Sequence, residues 1–314
     1  MSNYDIFNGD ADGLCALLQL RRADPRTATL ITGVKREINL LERVTAKAGD
    51  HLTVLDISMR TNQVGLKRAL SSGANIFYVD HHNSGSIPKH KNLFAVIDTS
   101  PTICTSLLVN KCLNGQYADW AIVGAFGDNM GASANVLAKK LDIGDVDMLR
   151  LKNFGELINY NAYGRDVSDL HFAPDEMFKR LLCFKTPQAC LEASSDIIRI
   201  LEFGFQADME KADLTTSLAP NIFLLGDAPW ARRISGSFGN KLARENPDQA
   251  HGVLTHNVEG GFTVSVRASL NSPKGADILC LQFPTGGGRA GAAGINHLPK
   301  EDLDKFLAAF KIGF

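Results

Sequence analysis

No run of about 20 uninterrupted apolar residues occurs in this sequence of 314 residues, so nothing in it reads as a membrane-spanning helix. The opening stretch, MSNYDIFNGD, lacks the basic and apolar segments of a secretory signal. Blocks of like charge are absent too: 33 Lys and Arg stand against 34 Asp and Glu, a net charge of −1 with His neutral. A long electrostatic grip on duplex DNA or on an anionic membrane is therefore not expected. Cysteine pairs are missing as well, because Cys15, Cys104, Cys112, Cys183, Cys190 and Cys280 form no CxxC or CxxxC spacing and sit mostly among Leu, Ala and Ile. Buried free thiols are the expectation, in preference to disulfides or a zinc site. No internal repeat and no low-complexity tract interrupts the chain. These absences together point to a soluble, cytoplasmic protein without a membrane partner.

What is present is a chain with 45% hydrophobic residues, long enough for a sizeable core and favouring two domains over one swollen one. From residue 4 to about 98, the short apolar runs YDIF, ATLITG, HLTVLDI, NIFYVD and FAVID alternate with segments of helical spacing. That alternation predicts a parallel sheet covered by helices. Residues 103–141 and 145–185 read as mostly helical, and 188–215 as a polar connecting helix after Pro187. Beyond it, NIFLLG, HGVLTHN and GGFTVSVRAS read as strands, SGSFGNKLAREN and ADILCLQF as helices, and TGGGRAGAAG as a glycine loop. The expected fold class is α/β, with a parallel-sheet N-terminal domain over 1–187, a connector over 188–215 and a smaller mixed α/β domain over 216–314.

Apolar runs of the first half end in, or soon reach, Asp10, Asp56, Asp80 and Asp98. The carboxyl ends of parallel strands share one edge, where such folds bind ligands. Carboxylates gathered without basic partners repel one another, so a cation is expected between them. In Asn8-Gly9-Asp10-Ala11-Asp12-Gly13 a DxD pair can flank a metal, although a helix N-cap followed by a turn glycine explains one of the two aspartates equally well. Asp80-His81-His82 adds imidazole to carboxylate, a mixed donor set that suits a first-row metal such as Mn. Asp128, framed by Gly127 and Gly131, can supply another carboxylate or merely end a helix.

Asp10-Ala11-Asp12-Gly13, Asp56, Asp80-His81-His82 and Gly127-Asp128 resemble, in order and rough spacing, the motifs of the DHH phosphoesterases. That family includes RecJ-type exonucleases, oligoribonucleases, hydrolases of cyclic dinucleotides and of phosphoadenosine phosphate, and family II pyrophosphatases. Ser265-Val266-Arg267, Gly286-Gly287-Gly288-Arg289 and Ala292-Ala293-Gly294 resemble the DHH-associated domain that often follows.

The resemblance implies two divalent ions, usually Mn with Mg or Co as alternatives, held in the first domain and closed over by the second across a cleft. By position, Asp10, Asp12, Asp56, His81 and Asp128 are the implied ligands, Asp80 orients a histidine, and His82 meets the substrate phosphate or the leaving group. Arg267, Gly286, Gly287, Gly288 and Arg289 are the implied substrate-binding residues.

The chain departs from the family at three places. Ile6 stands where many members carry His, Asn8 where RecJ-type members carry an extra Asp, and Arg289 where the glycine motif usually places His. One metal site is therefore short of a ligand, weaker, or completed by water.

The implied activity is metal-dependent phosphodiester hydrolysis on dinucleotides or very short oligonucleotides. Cyclic nucleotides or dinucleotides, adenosine bisphosphate and polyphosphate are alternative substrates, and a catalytically silent nucleotide sensor is an alternative of another class. Residues 216–314 hold ten Lys and Arg against eight Asp and Glu. So mild a basic excess suits a substrate with few phosphates and not a long duplex. A homodimer is left open.

Overall fold

The computed structural model describes residues 1–193 and 195–314. By its contacts the chain divides into two units, Met1–Glu202 and Phe203–Phe314. In the first unit the strands are β1 (Asn3–Phe7), β2 (Thr29–Ile31), β3 (His51–Leu55), β4 (Asn75–Asp80) and β5 (Leu93–Ile97). They form one sheet of order β2-β1-β3-β4-β5, parallel throughout. The helices are α1 (Ala11–Ala23), α2 (Gln63–Ser71), α3 (Thr105–Cys112), α4 (Ala118–Gly127), α5 (Gly131–Lys140), α6 (Asp145–Ala162), α7 (Pro174–Leu182), α8 (Pro187–Glu192) and α9 (Asp196–Asp213). The last of these crosses the division between the units. The stretch 188–215, expected as one connecting helix, thus holds two, and α8 begins at a proline whose missing N–H costs nothing in a first helical turn.

The order β2-β1-β3 places the point where successive connections leave in opposite directions between β1 and β3, and the crevice beyond those strand ends is where open α/β sheets take ligands. One face of the sheet buries Ile6, Leu52, Val54, Ile76 and Tyr78 against Leu66, Ala69 and Leu70 of α2. Nearly every residue of α4, ADWAIVGAFG, is buried, as expected of a helix that is apolar all round. It lies at the centre of the helical part of the unit, where Trp120 meets Phe154 of α6 with ring centroids 6.3 Å apart. Beneath β1, Arg21 donates two 2.7 Å hydrogen bonds to Asp5 and a 2.8 Å one to Thr53, so this buried ion pair is fully hydrogen-bonded.

The second unit is a mixed sheet of order β10-β11-β9-β8-β7-β6, built from β6 (Ser217–Ala219), β7 (Ile222–Leu224), β8 (His251–His256), β9 (Phe262–Arg267), β10 (Gly286–Arg289) and β11 (Ala292–Leu298). Only β7 and β8 pair parallel. Its helices are α10 (Pro229–Glu245), α11 (Ala276–Cys280) and α12 (Leu303–Gly313). Phe262, Val264, Val266 and Ile295 share a core with Phe306 and Phe310 of α12. The glycine stretch expected as a loop is instead a hairpin, with Gly286–Arg289 paired antiparallel to Ala292–Ile295. Glycines are depleted in strands, so no propensity signal announced it. All six cysteines are free; Cys112 and Cys183 are exposed, against expectation, while the other four are buried. Among the described residues, no helix is long and apolar enough to cross a membrane.

Candidate metal centre

The turn after β1 delivers two aspartates to the start of α1. Asp10 is the N-cap, its Oδ1 accepting from the backbone N–H groups of Asp12 and Gly13 at 3.0 and 3.1 Å. Asp12 lies in the first turn of the helix and is fully buried. Its two oxygens accept at 2.7 Å from the backbone N–H groups of Thr105 and Ser106, at the positive end of α3. A Cβ on Gly13 would come within 2.4 Å of the Asn8 carbonyl, so this tight turn requires glycine.

Asp56 follows β3 with φ +60, a left-handed conformation that costs energy in any residue with a side chain. Its Oδ1 accepts from Thr105 Oγ1 at 2.9 Å. His81 follows β4, and its Nδ1 lies 3.1 Å from the Ile103 carbonyl. That carbonyl can only accept, so Nδ1 carries the proton and the lone pair of Nε2 is free to bind a metal.

Around His81 Nε2 lie Asp56 Oδ1 at 3.5 Å, Asp128 Oδ2 at 3.7 Å and Asp12 Oδ2 at 3.9 Å. Asp128 caps the end of α4, next to Asn129, whose φ of 59 is also left-handed. Two sets of three residues, Asp12–His81–Asp128 and Asp56–His81–His82, each bring one ligand atom per residue within 4.8 Å of one another.

The electrostatics report a deficit of positive charge. Burial, then Asp12, Asp10 and Asp128, push the Asp56 carboxyl well above its ordinary range. Burial also lifts Asp128 to about 6, with Asp12 and Asp10 adding to the rise and Lys35 opposing it. Burial acts on Asp10 in the same sense, but there Lys35 and the hydrogen bonds outweigh it and bring the carboxyl down to about 2. Oxygen donors crowded at this spacing around one imidazole lone pair fit a hard or borderline divalent cation.

His82 is half exposed and turned differently: its Nδ1 lies 2.8 Å from Asp80 Oδ1. Burial lowers its pKa, but the hydrogen bond and charge of Asp80 raise it by more, so the net shift is upward. The other oxygen of Asp80 is buried and without a hydrogen-bond partner. Asp98 lies apart from the cluster and binds Ser100 through its own turn.

Four participants carry no motif in the sequence. Lys35 stands 2.5 Å from Asp10 Oδ2, and Thr105 and Ser106 hold Asp12. Asn159 accepts from Lys35 at 3.1 Å. The only signal for Lys35 was its place just beyond β2, at the same sheet edge as the aspartates.

In the second unit, Arg267, Ala292 and Arg289 are successive cross-strand neighbours and so share one face. Arg267 donates to Asn240 Oδ1 at 2.6 Å and to Ser265 Oγ at 2.8 Å. Arg289 is exposed, and its guanidinium has no hydrogen bond or ion pair among the described residues. The three glycines differ in their surroundings. A Cβ on Gly286 would run into the Cys280 carbonyl, and Gly288, at φ 145, would meet Ala293, so packing accounts for both. Gly287 faces open space.

No family model and no curated protein matches the sequence. Solved structures do match it. A DHH-domain protein described as a member of a family of ribosomal proteins is 16% identical at a TM-score of 0.62, with 99% of this chain and 86% of that one covered. The exonuclease RecJ bound to manganese is 18% identical at a TM-score of 0.59, covering 99% and 89%. The pGpG-specific phosphodiesterase PggH from Vibrio cholerae is 13% identical at a TM-score of 0.57, with both chains covered in full.

Proposed function

With the DHH-domain fold as premise, we propose that this protein is a metal-dependent phosphoesterase that hydrolyses dinucleotides or very short oligonucleotides. Residues 1–187 are its catalytic domain, 188–215 its connector and 216–314 its substrate-binding domain. The observation that carries the reading is the convergence of Asp12, Asp56 and Asp128 on His81 Nε2, within 3.5–3.9 Å. Among the solved structures of this fold, RecJ from Thermus thermophilus is a complex with Mn2+ in one case and with Mg2+ in another; this chain covers 51% and 49% of those two. Manganese is the preferred ion here, because imidazole joins the carboxylates.

Asp12, Asp56, His81 and Asp128 would hold the ion. A bound divalent cation supplies an acidic water and neutralises charge that develops on the phosphoryl oxygens. The protein contributes rigidity. Thr105 and the α3 amides fix two of the carboxylates, and the Ile103 carbonyl fixes the His81 ring, so the donors need little rearrangement. Asp80 holds His82 through Nδ1, which leaves Nε2 as the atom that donates a proton to the departing alkoxide oxygen. Arg289 offers an exposed two-pronged donor to a phosphate, and the open surface at Gly287 lets a ligand approach the backbone. Arg267 keeps that face of the sheet cationic.

The test is a hydrolysis panel with added Mn, comparing a dinucleotide, 5-mer RNA and DNA, cyclic mono- and dinucleotides, adenosine bisphosphate and polyphosphate. The dinucleotide is expected to be cleaved fastest, with activity lost in His81→Ala. Unchanged activity in that variant would refute the assignment of the centre. Tight nucleotide binding without any turnover would favour a silent sensor.

A further inference from the structure

The expected ligands of the centre do not all face one point. Asp12, Asp56 and Asp128 surround His81 Nε2, whereas Asp10, which also lies within hydrogen-bonding reach of Asp56, spends an oxygen on a protein cation. Its Oδ1 takes two backbone N–H groups, and its Oδ2 takes the Lys35 ammonium at 2.5 Å.

Lys35 is held along its length. Its N–H donates to the Ala162 carbonyl at 2.9 Å, and its own carbonyl accepts from Asn8 Nδ2 at 3.2 Å. Its ammonium donates to Asn159 Oδ1 at 3.1 Å and lies 5.6 Å from the centre of the Tyr163 ring. The same ammonium is 3.8 Å from Asp128 Oδ1, so Asp128 divides its two oxygens between Lys35 and His81. Positions 6 and 8 add no metal donor. Ile6 is wholly buried in the core, and Asn8 uses its amide to position the Lys35 carbonyl, which a carboxylate could not do.

We propose that the Lys35 ammonium is the second cation of this centre: the protein binds one divalent ion on Asp12, Asp56, His81 and Asp128, while Lys35 bridges Asp10 and Asp128 where a second ion would otherwise sit. The inference rests on the reading of a divalent centre given above. A lysine supplies a single charge and three donors in a fixed place; it balances the two carboxylates without exchanging with ions in solution. The chain is thereby relieved of assembling the extra ligands that a second site needs.

Counting bound ions tests this apart from activity. The full chain is stripped of metal, titrated with Mn and analysed by elemental analysis and electron paramagnetic resonance. Wild type is expected to saturate at one Mn per chain with the spectrum of an isolated ion. Lys35→Ala should take up a second Mn and show spin coupling, and so should Asn8→Asp, which serves if Lys35→Ala does not fold. Lys35→Arg, which keeps the charge, should stay at one. Two Mn in the wild type, or one in both Lys35→Ala and Asn8→Asp, would overturn the lysine assignment alone. A wild type that holds no Mn would remove the divalent centre and this inference with it.

Discussion

Asp80 receives His82 Nδ1 at 2.8 Å while its second oxygen stays buried and unpartnered. The pair sets the protonation state of an imidazole whose Nε2 points away from the carboxylate. Burial alone would lower the His82 pKa, and Asp80 reverses that effect. If His82 acts as a general acid, activity requires its protonated form and declines as pH rises through its pKa. Asp80→Asn removes the charge that favours protonation, so the alkaline limb of the kcat profile should move to lower pH. His82→Gln should lose that limb, together with roughly 100-fold or more in kcat. A limb that stays in place in both variants would assign the proton donor elsewhere.

Asp128, buried and raised to about 6, makes the metal-free protein sensitive to pH. A carboxyl whose folded-state pKa exceeds its unfolded one favours the folded chain when protonated, and that contribution is lost as pH rises through about 6. In the presence of a chelator the protein should therefore be more stable at pH 5 than at pH 8, by on the order of 1.4 kcal/mol from this group, since only the unit between pH 5 and about 6 falls in that window. The raised Asp56 carboxyl acts in the same direction. Thermal melts should show the difference shrinking in Asp128→Asn. Added Mn should stabilise the wild type at pH 8, since it binds the folded state. A melting temperature independent of pH between 5 and 8 would contradict the charge deficit.

Thr105 Oγ1 donates to Asp56 Oδ1 at 2.9 Å, and Asp56 sits at a positive φ that the surroundings must maintain. Thr105→Val keeps the shape and removes the donor. Mn affinity, measured by calorimetry, should weaken by roughly 10- to 100-fold, the usual effect of losing such support for a ligand. Affinity unchanged from wild type would mean that the strand end alone holds Asp56.

Arg289 lies on the exposed edge strand β10 with its guanidinium unengaged among the described residues. Arg289→Ala should weaken dinucleotide binding by about 10-fold, the order of one charge-assisted phosphate contact. Cleavage of a simple bis-phosphoester should not change. Equal loss on both substrates would mean that the variant perturbs the fold and not a phosphate contact.

The sheet and the positions of most site residues were legible because they follow from local rules. Alternating apolar runs and helical spacing predicted five strands before residue 98, and the five strands found are parallel in one sheet. Asp10, Asp56, Asp80 and His81 stand at or just beyond strand ends, and a parallel sheet collects such ends at one edge. Asp98 has the same local signature and yet stays outside the cluster, because it follows the edge strand β5 and is taken up by Ser100. The hairpin of Gly286–Arg289 was not legible, since its register comes from β11 and from the close approach of Cys280 and Ala293 to glycines with no side chain.

Which residue types reach the edge of the sheet, and in what order, follows from the amino-acid order alone, because strand and helix periods are properties of neighbouring residues. How charge is shared among them depends on contacts between distant parts of the chain. Asp12 is held by Thr105, 93 residues away, and Asp10 is neutralised by Lys35, which arrives on the turn after another strand. Asn159, 124 residues from Lys35, completes that contact. Coulomb and hydrogen-bond energies depend on distance in space and on burial, so the choice between a metal ion and a lysine at each carboxylate has no signature in sequence spacing.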